Sequence, residues 1–210
     1  LQLLCTSSKI SFYLLYMICL PFLFETEYIL DLWLVEVPQH SSLFTRLITI
    51  EILIDSLCGP MITSLMATGE IKWYQIVVGS ILLLTVPLSY VMLFLGAPIY
   101  TPLLVSLLLM SVALIARLFF LKEQVGLPYG RYFREVISPI VKVIITSLVL
   151  PVFFYMVISN MFLRVCLVFF ASLLSVLLCS YILGLNDKER LFVRTVLNSF
   201  LKKIIRWERQ

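Results

Sequence analysis

Apolar residues in this chain come in blocks about as long as a lipid bilayer is thick, with charged residues mostly between the blocks. From Trp73 to Ala116 there is no Asp, Glu, Lys or Arg, and the run is broken only by Gly96-Ala97-Pro98-Ile99-Tyr100-Thr101-Pro102, a cluster with turn chemistry. A hydrocarbon core about 30 Å thick takes roughly 20 residues of helix to cross. The stretch therefore predicts two spans, residues 73–95 and 103–121, and a turn between them. The same reading places four more spans at residues 10–29, 43–66, 136–159 and 165–183. The first has the shortest uncharged run, so it crosses only if Lys9 and the Glu25/Glu27 pair reach to the two interfaces. The expected fold class is all-α: a polytopic membrane protein with six spans in residues 1–185, followed by a tail over residues 186–210.

Composition agrees with that pattern. Hydrophobic residues make up 61% of the chain and charged residues 13%, with a mean hydropathy of +1.06, values far from those of water-soluble domains. Lys and Arg set the orientation. Loops 30–42, 96–102 and 160–164 hold one base between them, Arg164, whereas Lys9, Lys72, Arg117, Lys122, Arg131, Arg134, Lys142 and the tail lie on the other side. The positive-inside rule makes that second side, with both ends of the chain, cytoplasmic. The outer loop carries Glu25, Glu27, Asp31 and Glu36 near its membrane edges with no base among them. The net charge of +4 is accounted for by these inner-face bases and calls for no nucleic acid. The chain opens on Leu1 with neither a charged n-region nor a small-residue cleavage site, which reads as the C-terminal piece of a longer protein.

Little in the chain suggests cofactor or metal chemistry. Cys5, Cys19, Cys58, Cys166 and Cys179 lie in or beside apolar spans without the close spacing of a metal site or redox pair, and they read as small buried hydrophobes. His40 sits in the outer loop beside two serines and reads as a loop residue. There is no Walker glycine loop, zinc-protease helix or nucleophile elbow, so an ATP-driven pump would take its ATPase from another chain. No cofactor is expected.

The second span is the one with candidate chemistry. It places Arg46, Glu51 and Asp55 within the predicted membrane region, where ionisable groups cost a few kcal/mol or more and point to function. Glu51 and Asp55 are four apart and share a helix face, so they are expected to look into a protein-lined or watery cavity, while Arg46 near the outer end can snorkel. Ser56, Gly59 and Pro60 follow directly. A Gly-Pro pair bends a helix and frees carbonyls, and freed carbonyls beside a carboxylate suit a cation or proton. The alternative is that the two acids pair with a base of another helix and hold the bundle together. Pro21, Pro87, Pro139 and Pro151 interrupt other spans, as in transporters that rock between states and in membrane helices generally. Lys142, about one turn into its span, is expected to snorkel to the inner surface. After Gly184, Asn186 and Glu189 have the spacing of a capping box, and apolar pairs from Phe192/Val193 to Ile204/Ile205 alternate with Lys and Arg. That tail is expected to lie on the inner leaflet, held by apolar burial and anionic lipids.

Several segments in order resemble the C-terminal half of bacterial oligosaccharide flippases of the multidrug and oligosaccharidyl-lipid exporter superfamily. They are Ser8-Lys9-Ile10-Ser11-Phe12-Tyr13-Leu14-Leu15 with Leu20-Pro21, Leu32-Trp33-Leu34-Val35-Glu36-Val37-Pro38, Leu53-Ile54-Asp55-Ser56-Leu57-Cys58-Gly59-Pro60, Ala67-Thr68-Gly69-Glu70-Ile71-Lys72-Trp73-Tyr74-Gln75 with Val78-Gly79-Ser80, Ala116-Arg117-Leu118-Phe119-Phe120-Leu121-Lys122, and Gly184-Leu185-Asn186-Asp187-Lys188-Glu189-Arg190. The resemblance covers nearly the whole chain. It implies a two-lobed, MATE-like transporter of about twelve to fourteen spans, of which this chain is the last six. It also implies alternating-access movement of an undecaprenyl-diphosphate-linked oligosaccharide across the bacterial inner membrane for O-antigen and lipopolysaccharide synthesis, driven by an ion gradient or the membrane potential. Asp55, Gly59, Pro60 and Gln75 match the family's pattern. The N-terminal lobe is then the missing partner, expected to supply much of the positive charge that meets the diphosphate, while the Glu51/Asp55 face serves the driving ion. Two other readings stand beside this one: a drug or cation antiporter of the same superfamily, and a membrane-embedded polymerase or glycosyltransferase using the Glu25/Glu27 pair.

Overall fold

A computed structural model describes residues 1–158, 160–186 and 189–191. The predicted tail helix lies, from Phe192 on, outside these residues. Among the described residues the fold is all-α, and six helices are long and apolar enough to cross a membrane: span one (Gln2–Phe24), span two (Ser41–Met66), span three (Lys72–Phe94), span four (Thr101–Val125), span five (Tyr129–Val157) and span six (Met161–Gly184). The protein is therefore read as a multi-pass membrane protein. A short helix, Thr26–Trp33, follows span one. Short connections make successive spans antiparallel, so one end of the bundle carries Lys9 and the other carries Glu25.

Span one is the hub, packed against spans two, five and six, while span four bridges span two to span three, which lies at the edge. Span one begins at Gln2 and ends at Phe24, earlier at both ends than the predicted 10–29. Its last turn closes with the Glu25 N–H donating to the Pro21 carbonyl, after which the chain bends into the next helix. At the N-terminal end the helix runs past Lys9 because that residue is buried and paired. Its ammonium does not reach an interface but is 1% exposed and pairs with the Glu189 carboxylate at 2.7 Å. Thr6 donates its hydroxyl to the same carboxylate at 2.7 Å, and the Asn186 backbone N–H donates to it at 2.8 Å. The last of these is one half of the capping box expected from Asn186 and Glu189. Burial works to raise the Glu189 pKa, but the Lys9, Thr6 and Asn186 hydrogen bonds outweigh it and hold the carboxyl below its ordinary value.

A second ion pair ties span one to span six at the opposite end. Glu25, 3% exposed, takes both Nε and Nη2 of Arg164 at 2.8 and 3.0 Å, a bidentate geometry that fixes direction as well as charge. Arg164 also lies over the Tyr155 ring, 4.8 Å from its centroid. The outer acids do therefore have a base, brought to them by span six. Gly184 closes the Lys9 end tightly: a Cβ there would stand 2.6 Å from the Tyr13 hydroxyl.

Two spans are interrupted three residues before a proline. Span two breaks at Leu57 ahead of Pro60, and span three at Leu84 ahead of Pro87. Proline has no N–H for the carbonyl four residues back and its ring crowds that carbonyl, so the preceding turn tightens, as in the Leu57 N–H donating to the Ile54 carbonyl at 3.2 Å. Pro21 and Pro151 lie inside continuous helices. π-helical turns, Leu121–Val125, Phe133–Ile137 and Ser180–Gly184, gather at the Lys9 end, and Gln124 fastens the connection there by donating to the Glu70 carbonyl at 3.0 Å. Lys142 is exposed.

Candidate functional site

Span two carries most of the candidate residues, and the bundle treats each differently. Arg46 lies 3.5 Å from Glu27 of the short helix, both partly exposed, so its charge is answered near the Glu25 end. Glu51 accepts a 2.6 Å hydrogen bond from the Ser106 hydroxyl of span four, which satisfies one carboxylate oxygen and joins two spans. Asp55, one turn further on, is exposed, and among the described residues no hydrogen bond or ion pair engages its carboxylate. By the rise of an α-helix it stands about 16 Å from the Met66 end of the span. Gln75 of span three is exposed as well. The expected acidic face is therefore split: Glu51 turns to span four, and Asp55 opens on the flank.

The backbone beside Asp55 is also irregular. Ser56 donates its hydroxyl to the Leu53 carbonyl at 2.6 Å, the helix is interrupted at Leu57, and Gly59 is open, with no atom within 4 Å of where a Cβ would sit. Pro60 leaves the Ser56 carbonyl without its helical N–H. An unengaged carboxylate next to such a carbonyl, at membrane depth, can accept a proton or a small cation. In its charged form a carboxylate against hydrocarbon costs a few kcal/mol or more, so that form calls for water or protein around it.

A further charged residue lies beside this segment, one that loop and span lengths do not single out. Arg117, grouped in the sequence with the inner-face bases, is 4% exposed. Val105, Leu109, Ala113 and Arg117 form the buried stripe of span four. Side chains on a helix lean toward its N-terminus, so the arginine stem lies back over the small Ala113. Its Nη1 donates to the Cys58 sulfur at 3.2 Å and its Nε to the Tyr74 hydroxyl at 3.4 Å, joining spans two, three and four. No carboxylate lies within ion-pair distance of it among the described residues. Its position two turns before the end of span four is a signal available in sequence, but the thiol and phenol that receive it are not.

Cys5, Cys19 and Cys58 are buried and no cysteine is paired. Among the described residues no three His, Cys, Asp or Glu side chains gather as a metal site. Two cavities are of note: a polar one of about 690 Å³ at the Lys9 end, bordered by Thr6, Arg131, Glu135 and Glu189, and an apolar one of about 280 Å³ between spans one, two and five, bordered by Phe12, Tyr16, Leu53 and Leu148. Neither includes Asp55. Comparison with protein-family models, with curated proteins and with solved structures gave no match.

Proposed function

We propose that this chain is part of a transporter that moves an undecaprenyl-diphosphate-linked oligosaccharide across the bacterial inner membrane for surface polysaccharide synthesis. It works by alternating access, coupled to an ion gradient, with both ends of this piece cytoplasmic. The lipid-linked oligosaccharide is its substrate, the N-terminal lobe of the same protein its structural partner, and anionic lipids the surface its tail rests on. One observation carries the reading: Asp55 stands exposed and unengaged within an apolar span, next to a helix interruption at Leu57. A carboxylate placed there serves no packing purpose and has the chemistry of an ion-coupling group. The sequence resemblance supplies the cargo. A diphosphate and its sugars cannot cross apolar tails unaided, so the transporter offers them a hydrated groove while the lipid tail stays in the bilayer.

Against the enzyme reading stands the fate of the outer acids, since Glu25 is buried under Arg164 and Glu27 faces Arg46. Both members of the Glu25/Glu27 pair that the enzyme reading would use thus lie against an arginine. Asp55→Asn tests the proposal: translocation of the lipid-linked substrate should fall about tenfold or more, a loss within the range of coupling free energies, while the amount inserted in the membrane is unchanged. Full translocation by that variant sinks the reading, and export of cationic dyes in its place favours the antiporter.

A further inference from the structure

Arg117 is a buried guanidinium held by two weak acceptors. A thiol sulfur and a phenol oxygen use two of its five N–H groups, and no carboxylate among the described residues answers its charge. A cation in a low-dielectric interior ordinarily has an anion against it, so this cradle is a poor resting place unless the better partner is sometimes withdrawn. Asp55 is the available partner. It lies in the same span, three residues before Cys58 and just across the interruption at Leu57, and Cys58 is the residue whose sulfur receives the Arg117 Nη1 at 3.2 Å. Glu51, on the same helix, is already taken by Ser106. Tyr74 of span three, which receives the Arg117 Nε, and Tyr132 of span five also border the cradle.

We infer that Arg117 is a switching counter-charge: it alternates between the Cys58/Tyr74 cradle and the Asp55 carboxylate, according to whether Asp55 is neutralised. When a proton or a cation occupies Asp55, the guanidinium lies in the cradle. When Asp55 is bare and negative, the guanidinium swings one turn toward it and releases Cys58 and Tyr74. Because the cradle joins spans two, three and four, the charge on one aspartate is converted into the packing of three helices. This rests on the assignment of Asp55 as the ion-coupling group and adds the residue that reads its charge.

Two measurements separate the inference from that assignment. The first is the Cys58 S–H stretch in the infrared, assigned by Cys58→Ser and followed in vesicles as pH is raised. In the wild type the band should move as Asp55 loses its proton; in Asp55→Asn it should stay at the low-pH position throughout, and in Glu51→Gln it should move as in the wild type. A wild-type band that does not move, or an Asp55→Asn band that moves as the wild type does, overturns the switch whatever the transport result. The second is a double-mutant cycle on translocation. Asp55→Asn and Arg117→Gln should each cut the rate about tenfold and the double variant no further, since residues in one network are not additive; independent, multiplying losses overturn the pairing. Arg117→Met, which removes the charge with an apolar side chain, replaces Arg117→Gln, with the same expected result, if the latter fails to insert. Normal translocation by Asp55→Asn together with a moving wild-type Cys58 band removes the coupling role and leaves the switch standing.

Discussion

Spans one and three are both 23 residues long, yet the fold treats them in opposite ways. Span one has a mean hydropathy of 1.6 over its most apolar window and half of that window is buried in the bundle; span three has 2.3 and 6%. The more polar helix is the hub and the more apolar one the rim, the reverse of a water-soluble domain. Lipid tails are as apolar as leucine, so a purely apolar helix gains little by leaving them. A helix with Lys9, Thr6, Ser8 and an adjacent Glu25 must have protein around it. For these two spans the central place goes with polar contacts and not with apolar area.

The comparison breaks first at Lys9. Lys9→Met leaves the Glu189 carboxylate buried without its cation and should cost about 3–5 kcal/mol, seen as a lowered thermal midpoint of the solubilised chain, while Lys9→Met with Glu189→Leu should regain most of the loss. A single variant as stable as the wild type would mean span one is not held as described. Arg164→Gln at the other end strands Glu25; since the Arg164 side chain is 21% exposed, the expected cost is smaller, about 1–3 kcal/mol.

pH sharpens the same contrast more gently. Glu189 is held below its ordinary pKa in the fold, so its contribution is fully present above the ordinary carboxylate value and is lost as pH falls through the depressed one. Stability should therefore decline at acid pH, and Glu189→Gln should flatten that part of the profile. The smallest effect belongs to the rim. Val86 of span three is 70% exposed, and Val86→Ala should change stability by no more than about 0.5 kcal/mol.

The spans are legible in the sequence because a charge-free run of bilayer length suits little besides a helix that crosses a bilayer, and span three lies within a residue of its expected bounds at each end. Span one is displaced because Lys9 reads as a boundary when its partner is unknown. Glu189 lies 180 positions away, and no local pattern reports such a pairing. The same holds for Glu25, whose lack of a nearby base hides Arg164. At the candidate site the proline at position 60 announces the break at Leu57, and the spacing of Glu51 and Asp55 announces one face. The hydroxyl of Ser106 divides that face, and it lies on another helix. Arg117 is visible in the sequence as a charge but not as a buried one, because its burial depends on Cys58 and Tyr74 meeting across three spans.

The central claim is that the Asp55 flank faces a hydrated groove and not lipid. Its most direct test is thiol labelling in native membranes, on a background with all five cysteines replaced, comparing Asp55→Cys with Val86→Cys under a membrane-impermeant maleimide. The account predicts that position 55 reacts, and is protected by added lipid-linked oligosaccharide, while position 86 stays unreactive. An unreactive position 55, with both variants normally inserted, would contradict it.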